Sequence, residues 1–245
     1  MKPFVLALQF LTIVTLRSDL SAEPGDLARS RAWFGAVGAL LGLALAAVAW
    51  LLGQVLPPLA LAGPLVLCWA ACTRFLHLDG VADTADALVY PATRERSLAI
   101  MKDTRIGAFG VTALASVLLI KFGLMASLPL ERLWLALIAA PALARALAAA
   151  LSALLPPATP GKGLGAATAD GPAGVGAMLI SVGTALAVAG LACGLAGLLA
   201  ALFVLILGLV MGRWFMRRLG GVTGDCLGAA IELAECLVLA IIVSF

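Results

Sequence analysis

Three aspartates fall within eight positions of one short stretch, "FLHLDGVADTADALV" at 75–89. On an α-helix, Asp83 and Asp86 lie about 40° and 20° to either side of Asp79, so the three carboxylates share one face over two turns. Like charges on one stripe repel and disfavour each other's ionisation, which is costly at a membrane edge, so something positive belongs among them. A divalent cation answers that need. Carboxylates with open water positions suit Mg²⁺ or Mn²⁺, above all when substrate phosphates complete the shell. The plainer account is a solvated helix end capped by Asp79, but Gly80, Val81, Ala82, Thr84, Ala85, Ala87 and Leu88 leave this helix little other polar character. His77 is the one histidine of the chain and falls on a different helical side. It reads as a donor behind the carboxylates, or a packed ring, rather than as a metal ligand.

Two further clusters carry chemistry. "IMKDTRIGAFG" at 100–110 places Lys102, Asp103 and Arg105 just before an apolar run. Arg binds phosphate bidentately and helix N-termini favour anions, so a basic segment entering a helix beside an acidic one suits a phosphate. Membrane anchoring accounts for some of that charge but not for Asp103 between two bases. "LGGVTGDCLGAAIELAE" at 219–235 sets Gly220, Gly221 and Gly224 before Asp225, and Asp225, Gly228, Glu232 and Glu235 share a helical stripe in an apolar span. Glycines permit tight turns and close approach of backbone to a ligand, and acids at membrane depth are functional candidates. Arg145 and Lys121 also lie deep in apolar runs and each needs a partner or a wet cavity; Glu232 is the expected counter-ion of Arg145. The stretch "PATPGKGLGAATADG", with Lys162, serves either as a cover over substrate or as a linker.

The elements that position these residues follow from composition. The chain is 63% hydrophobic and 12% charged, whereas globular domains carry roughly 25% charged residues, so there is too little polar surface to coat a soluble domain. The expected fold is all-α: a polytopic integral membrane helical bundle of six to seven spans in a single domain, 1–245. A span needs about 20 mostly apolar residues, which places helices near 33–56, 62–78, 106–128, 132–155, 174–192, 194–212 and 225–244. The run 4–16 is too short to cross and reads as a half-buried or interfacial helix. Lys and Arg cluster in alternate connections, which puts the N-terminus and 77–105, 156–173 and 213–224 in the cytoplasm and the C-terminus outside. The net charge of +3 comes from this bias and argues for no nucleic-acid partner. The five cysteines form no CxxC pair and read as small apolar packing residues.

"HLDGVADTADAL", "IMKDTRIGAFG" and "LGGVTGDCLGAAIEL", in that order and spacing, resemble the cobalamin synthase family, also called adenosylcobinamide-GDP ribazoletransferase or cobalamin 5′-phosphate synthase. The resemblance covers essentially the whole chain, helix layout included. It implies the step that joins the nucleotide loop to the corrin in vitamin B12 assembly: a ribose hydroxyl of α-ribazole, or of its 5′-phosphate, attacks the phosphoanhydride of adenosylcobinamide-GDP and GMP leaves. It further implies Mg²⁺ as cofactor and a multi-pass protein of the bacterial inner membrane, with its active site towards the cytoplasm. It leaves room for a homo-oligomer or a complex with other cobalamin-pathway enzymes. By position, Asp79, Asp83 and Asp86 match the family's acidic motif as metal ligands, with Asp103 a further candidate. Lys102 and Arg105 match the motif that would hold the pyrophosphate, and Asp225 the glycine-flanked acid; Asp86 and Asp225 both stand as candidate bases. Gly221, Gly224 and Arg145 complete the expected substrate contacts. Ala87 departs from the family, which often has Gly there, and the 158–170 loop is less typical. Rival readings are a CDP-alcohol type phosphotransferase, which however has Ala-Arg where "DGVADTAD" has Ala-Asp, or a transporter lined by Asp225, Glu232 and Arg145. Acids clustered at one membrane edge disfavour the latter.

Overall fold

In lipid every backbone N–H and C=O must be satisfied within its own segment, so long apolar runs fold as helices. A computed structural model describes residues 1–17, 25–88, 93–159 and 174–245. The helices are α1 (Lys2–Leu11), α2 (Asp26–Ser30), α3 (Phe34–Leu52), α4 (Pro58–Cys72), α5 (Leu76–Leu88), α6 (Arg94–Ile100), α7 (Ala108–Ser127), α8 (Leu130–Leu154), α9 (Gly174–Leu219) and α10 (Gly224–Val243). A 3₁₀ turn, Arg31–Trp33, joins α2 to α3.

The helices divide into an inner pair and an outer layer. The apolar window of α8 is 83% buried and that of α10 72% buried, against 22% for α7 and for α9. So α8 and α10 form the core, and the leucine-rich faces of α7 and α9 are left for lipid. α1 is short, as expected, and lays Leu6, Ala7 and Leu11 inward, with Ala7 and Leu11 packed with Phe34 and Val37 of α3. The chain leaves α1 at Thr12, and the Ile13 amide donates to the carbonyl of Cys72 at 2.7 Å, tying the N-terminal segment to the end of α4.

Among the described residues five helices are long and apolar enough to cross a membrane, or six if α4 and α5 together make one broken span. One of the five is α9, whose 46 residues would extend about 69 Å if straight, more than twice the roughly 30 Å hydrocarbon core. It is interrupted at Gly194, where φ is 56° and ψ is −130°, a conformation open to glycine and strained for other residues. A Cβ at Gly197 would lie 2.1 Å from the carbonyl oxygen of Ala189, a proximity that no straight helix allows over eight residues. The chain folds back there, and each half is long enough to span, as the expected pair 174–192 and 194–212 requires.

The expected helix 62–78 is corrected. α4 ends at Cys72, and α5 starts afresh at Leu76 after a bend of 87°. Arg74 and Phe75 take φ of 55° and 59°, the left-handed region that bulky residues enter only at a cost of about 1–2 kcal/mol each. Hydrogen bonds hold the turn: Thr73 Oγ1 donates to the Ala70 carbonyl at 3.0 Å and the Phe75 amide to the same carbonyl at 2.8 Å. The acidic residues therefore ride on a separate helix set nearly square to α4, not on the last turns of a continuous span.

Candidate active site

α5 is placed by its contacts with α10 and α7. A Cβ at Gly80 would lie 2.6 Å from the Asp225 carbonyl oxygen, and one at Gly228 would lie 3.1 Å from the Cα of His77. These two glycines let the helices touch backbone to backbone, which sets Asp225 beside the acidic face of α5. Asp79, Asp225 and Asp86 are the carboxylates within electrostatic range of Asp83.

The third aspartate of the motif has partners of its own. Asp86 Oδ2 accepts the Gly107 amide at 2.7 Å and Oδ1 the Gly110 amide at 2.9 Å. Gly107 is the N-cap of α7 and has no side chain to cap it, so Asp86 supplies the cap from α5. The two glycines of "IGAFG" form its socket: a Cβ at either would lie 2.5 Å or less from an Asp86 oxygen. An anion at a helix N-terminus is favourable, and here it clasps α5 to α7.

Asp79 and Asp83 point elsewhere. With Lys102, Asp103 and Arg105 they line a cavity of about 580 Å³ between α5, the segment after α6 and Leu114 and Leu118 of α7. Asp79 is exposed and Asp83 half-buried. Asp103 and Arg105 already satisfy each other: Arg105 donates through Nε at 3.0 Å, Nη2 at 2.7 Å and its backbone amide at 3.1 Å. These bonds hold the exposed Asp103 carboxyl down to about 2, so it is ionised throughout the neutral range and its oxygens are taken up by a base.

The remaining candidates are placed as follows. Asp225 follows the N-cap Thr223, whose Oγ1 accepts the Cys226 amide at 3.2 Å, and it lines a second cavity together with Gly224. Gly221 packs on protein backbone: the Val222 amide donates to the Pro156 carbonyl at 2.9 Å, and a Cβ at Gly221 would lie 2.2 Å from that oxygen. Arg145 is fully buried and lines neither cavity. The expected Arg145–Glu232 pair is corrected by one helical turn: Arg145 bonds Glu235, and Lys121 bonds both Glu232, at 2.6 Å, and Glu235. Lys121 reaches in from α7 and takes Glu232, while Arg145 on α8 meets the next acid along the stripe. His77 is buried, with Nδ1 3.5 Å from Arg145 Nη2. The cysteines are free. Of the 158–170 loop only 158 and 159 are described; Lys162 lies outside the described residues.

Among the described residues no three His, Cys, Asp or Glu side chains converge as a ready metal cage. That still fits Mg²⁺, which is commonly held by one or two carboxylates while substrate phosphates and water complete its shell.

A family model described as cobalamin-5-phosphate synthase matches residues 3–243. This chain belongs to the cobalamin synthase family. A protein of Pseudomonas paraeruginosa named adenosylcobinamide-GDP ribazoletransferase is 43% identical over 245 residues, covering 98% of this chain and 96% of its own. Proteins of the same name from Herpetosiphon aurantiacus and Geotalea daltonii are 41% and 36% identical, covering 96% and 98% of this chain and 94% and 96% of their own. No solved structure matches the chain. Membership of the cobalamin synthase family sets aside the CDP-alcohol and transporter readings.

Two features were not legible in the sequence: the socket of Gly107 and Gly110, and the buried charge network around Lys121. The socket had a faint signal in an α7 start without any Ser, Thr, Asp or Asn cap. The network's four charges were each visible, but the pairing of Arg145 depends on helix register.

Proposed function

We propose that this chain is an adenosylcobinamide-GDP ribazoletransferase of the bacterial inner membrane, working from the cytoplasmic side, with Mg²⁺ as cofactor and α-ribazole or its 5′-phosphate as acceptor. The carrying observation is the cavity in which Asp79 and Asp83 of α5 face Lys102 and Arg105 of the following segment. Relatives of that name across nearly the whole chain support the reaction, and the bias of Lys and Arg to alternate connections supports the orientation.

Breaking a phosphoanhydride demands charge neutralisation on the diphosphate, a hydroxyl placed in line, and support for the departing phosphate. Lys102 and Arg105 neutralise the diphosphate oxygens. Arg105 reaches them with its exposed guanidinium, braced by Asp103. Asp79 and Asp83 would hold Mg²⁺, which when bound supplies further neutralisation of the diphosphate. Asp225 takes the proton of the ribose hydroxyl. Asp86 is the weaker candidate for that role because both its oxygens already accept backbone amides. The ribose oxygen bonds to the phosphorus borne by the cobinamide, the bond from that phosphorus to the bridging oxygen breaks, and GMP leaves with the electron pair.

The test is purified protein in detergent or lipid, given adenosylcobinamide-GDP and α-ribazole with and without Mg²⁺. Metal-dependent release of GMP together with adenosylcobalamin is expected; no GMP release overturns the assignment.

A further inference from the structure

The second cavity, of about 310 Å³, differs in kind from the first. One wall is aromatic: Phe10 of α1 and Phe34 of α3 lie with ring centroids 5.9 Å apart and an interplanar angle of 24°, and both line it. Its polar groups are few, chiefly Thr223 and Asp225 at the start of α10, His77 and Lys102. Met101 and Lys102 line both cavities. Asp225 in the second cavity is an electrostatic neighbour of Asp79 in the first.

A mostly apolar, partly enclosed space of about 300 Å³ with a few convergent polar groups is the make-up of a small-molecule site. It is poorly suited to a diphosphate, which would meet one lysine and a carboxylate there. It suits a nucleoside with a planar, uncharged aromatic base, since such a ring packs on aromatic side chains and its sugar hydroxyls need polar partners at one end. We propose that this second cavity is the acceptor's site. The aromatic base lies against the Phe10 and Phe34 wall, and the ribose is turned towards Asp225 and Lys102. The hydroxyl then meets the diphosphate where the two cavities share Met101 and Lys102. The proposal rests on the transferase reading and adds to it which substrate enters which cavity.

The test measures equilibrium binding of α-ribazole to the full-length protein in detergent, which needs no turnover, alongside KM for each substrate. Three variants serve: Phe10→Ala, the milder Phe10→Leu, and Ala148→Leu, which adds bulk to the cavity wall. Loss of an aromatic contact weakens binding on the order of tenfold. Phe10→Ala should weaken α-ribazole binding by about that factor, Phe10→Leu by less, and Ala148→Leu more severely, while KM for adenosylcobinamide-GDP stays within about twofold. Should Phe10→Ala fail to fold, Phe10→Leu and Ala148→Leu carry the test. Wild-type protein that releases GMP while these variants bind α-ribazole normally, or lose only the GDP substrate, overturns the cavity assignment alone. Wild-type protein that binds α-ribazole but releases no GMP overturns the transferase reading and leaves the cavity standing.

Discussion

The three aspartates of α5 have different neighbours, and those neighbours divide the work. Asp79 and Asp83 face open space beside Lys102 and Arg105, so neutralising either removes charge from the reacting region without disturbing a bond seen in the fold. Asp79→Asn and Asp83→Asn should each lower kcat by about 10²–10³-fold, with an unchanged melting temperature in detergent. Asp86 predicts the opposite signature. Asp86→Ala strips the cap from α7 and orphans two amides, so it should destabilise the protein by about 1–2 kcal/mol. Gly110→Ala, which places a Cβ 2.4 Å from an Asp86 oxygen, should lower the melting temperature in the same way. If Asp86→Ala instead melts normally while losing all activity, the clasp is wrong. The acidic face was legible in the sequence because helical spacing alone lines up 79, 83 and 86. The separate role of Asp86 was not, because its partners come from 21 and 24 residues downstream and no local pattern links them.

At the scale of elements, apolar windows located the long helices because lipid leaves a span no other way to satisfy its backbone, whereas the short α2, α5 and α6 had no such window. The break between α4 and α5 escaped that logic. The turn is made by "CTRFL", with neither Gly nor Pro, and is held by contacts to α4 and by two residues in left-handed backbone. Arg74 is exposed and carries one long 3.4 Å bond, to Thr15. Arg74→Gly should therefore relieve backbone strain and stabilise the protein by up to about 1 kcal/mol, measured as a rise in melting temperature; a fall would show that the turn is unstrained or that the Thr15 contact matters more. The close contact of α5 with α10 through Gly80 and Gly228 was likewise invisible, since glycines in a membrane chain have many other uses.

For the molecule as a whole, the inner pair α8 and α10 is joined to α7 by buried charge. Lys121 and Arg145 face Glu232 and Glu235, two cations with two anions, and Lys121 Nζ also sits 4.4 Å from the Trp69 ring centroid. Charges at such depth are tolerated when they are paired. Removing one partner leaves an uncompensated ion, so Lys121→Met should destabilise by about 3–5 kcal/mol, and adding Glu232→Gln should recover part of that loss; no recovery would mean that Lys121 acts through packing. The bundle thus sets a paired charge network in its interior, joining α7, α8 and α10, apart from the carboxylates of Asp79 and Asp83 that line the first cavity with Lys102 and Arg105.

Asp79 and Asp83 are the residues on which the transferase reading turns. Initial rates of GMP release measured against Mg²⁺ concentration, for wild type, Asp79→Asn and Asp83→Asn, test it most directly. Wild type should show a saturable requirement for the metal, and each variant should need far more Mg²⁺ or show no release while keeping its melting temperature. A wild-type rate indifferent to Mg²⁺, or variants that follow the wild-type curve, would contradict it.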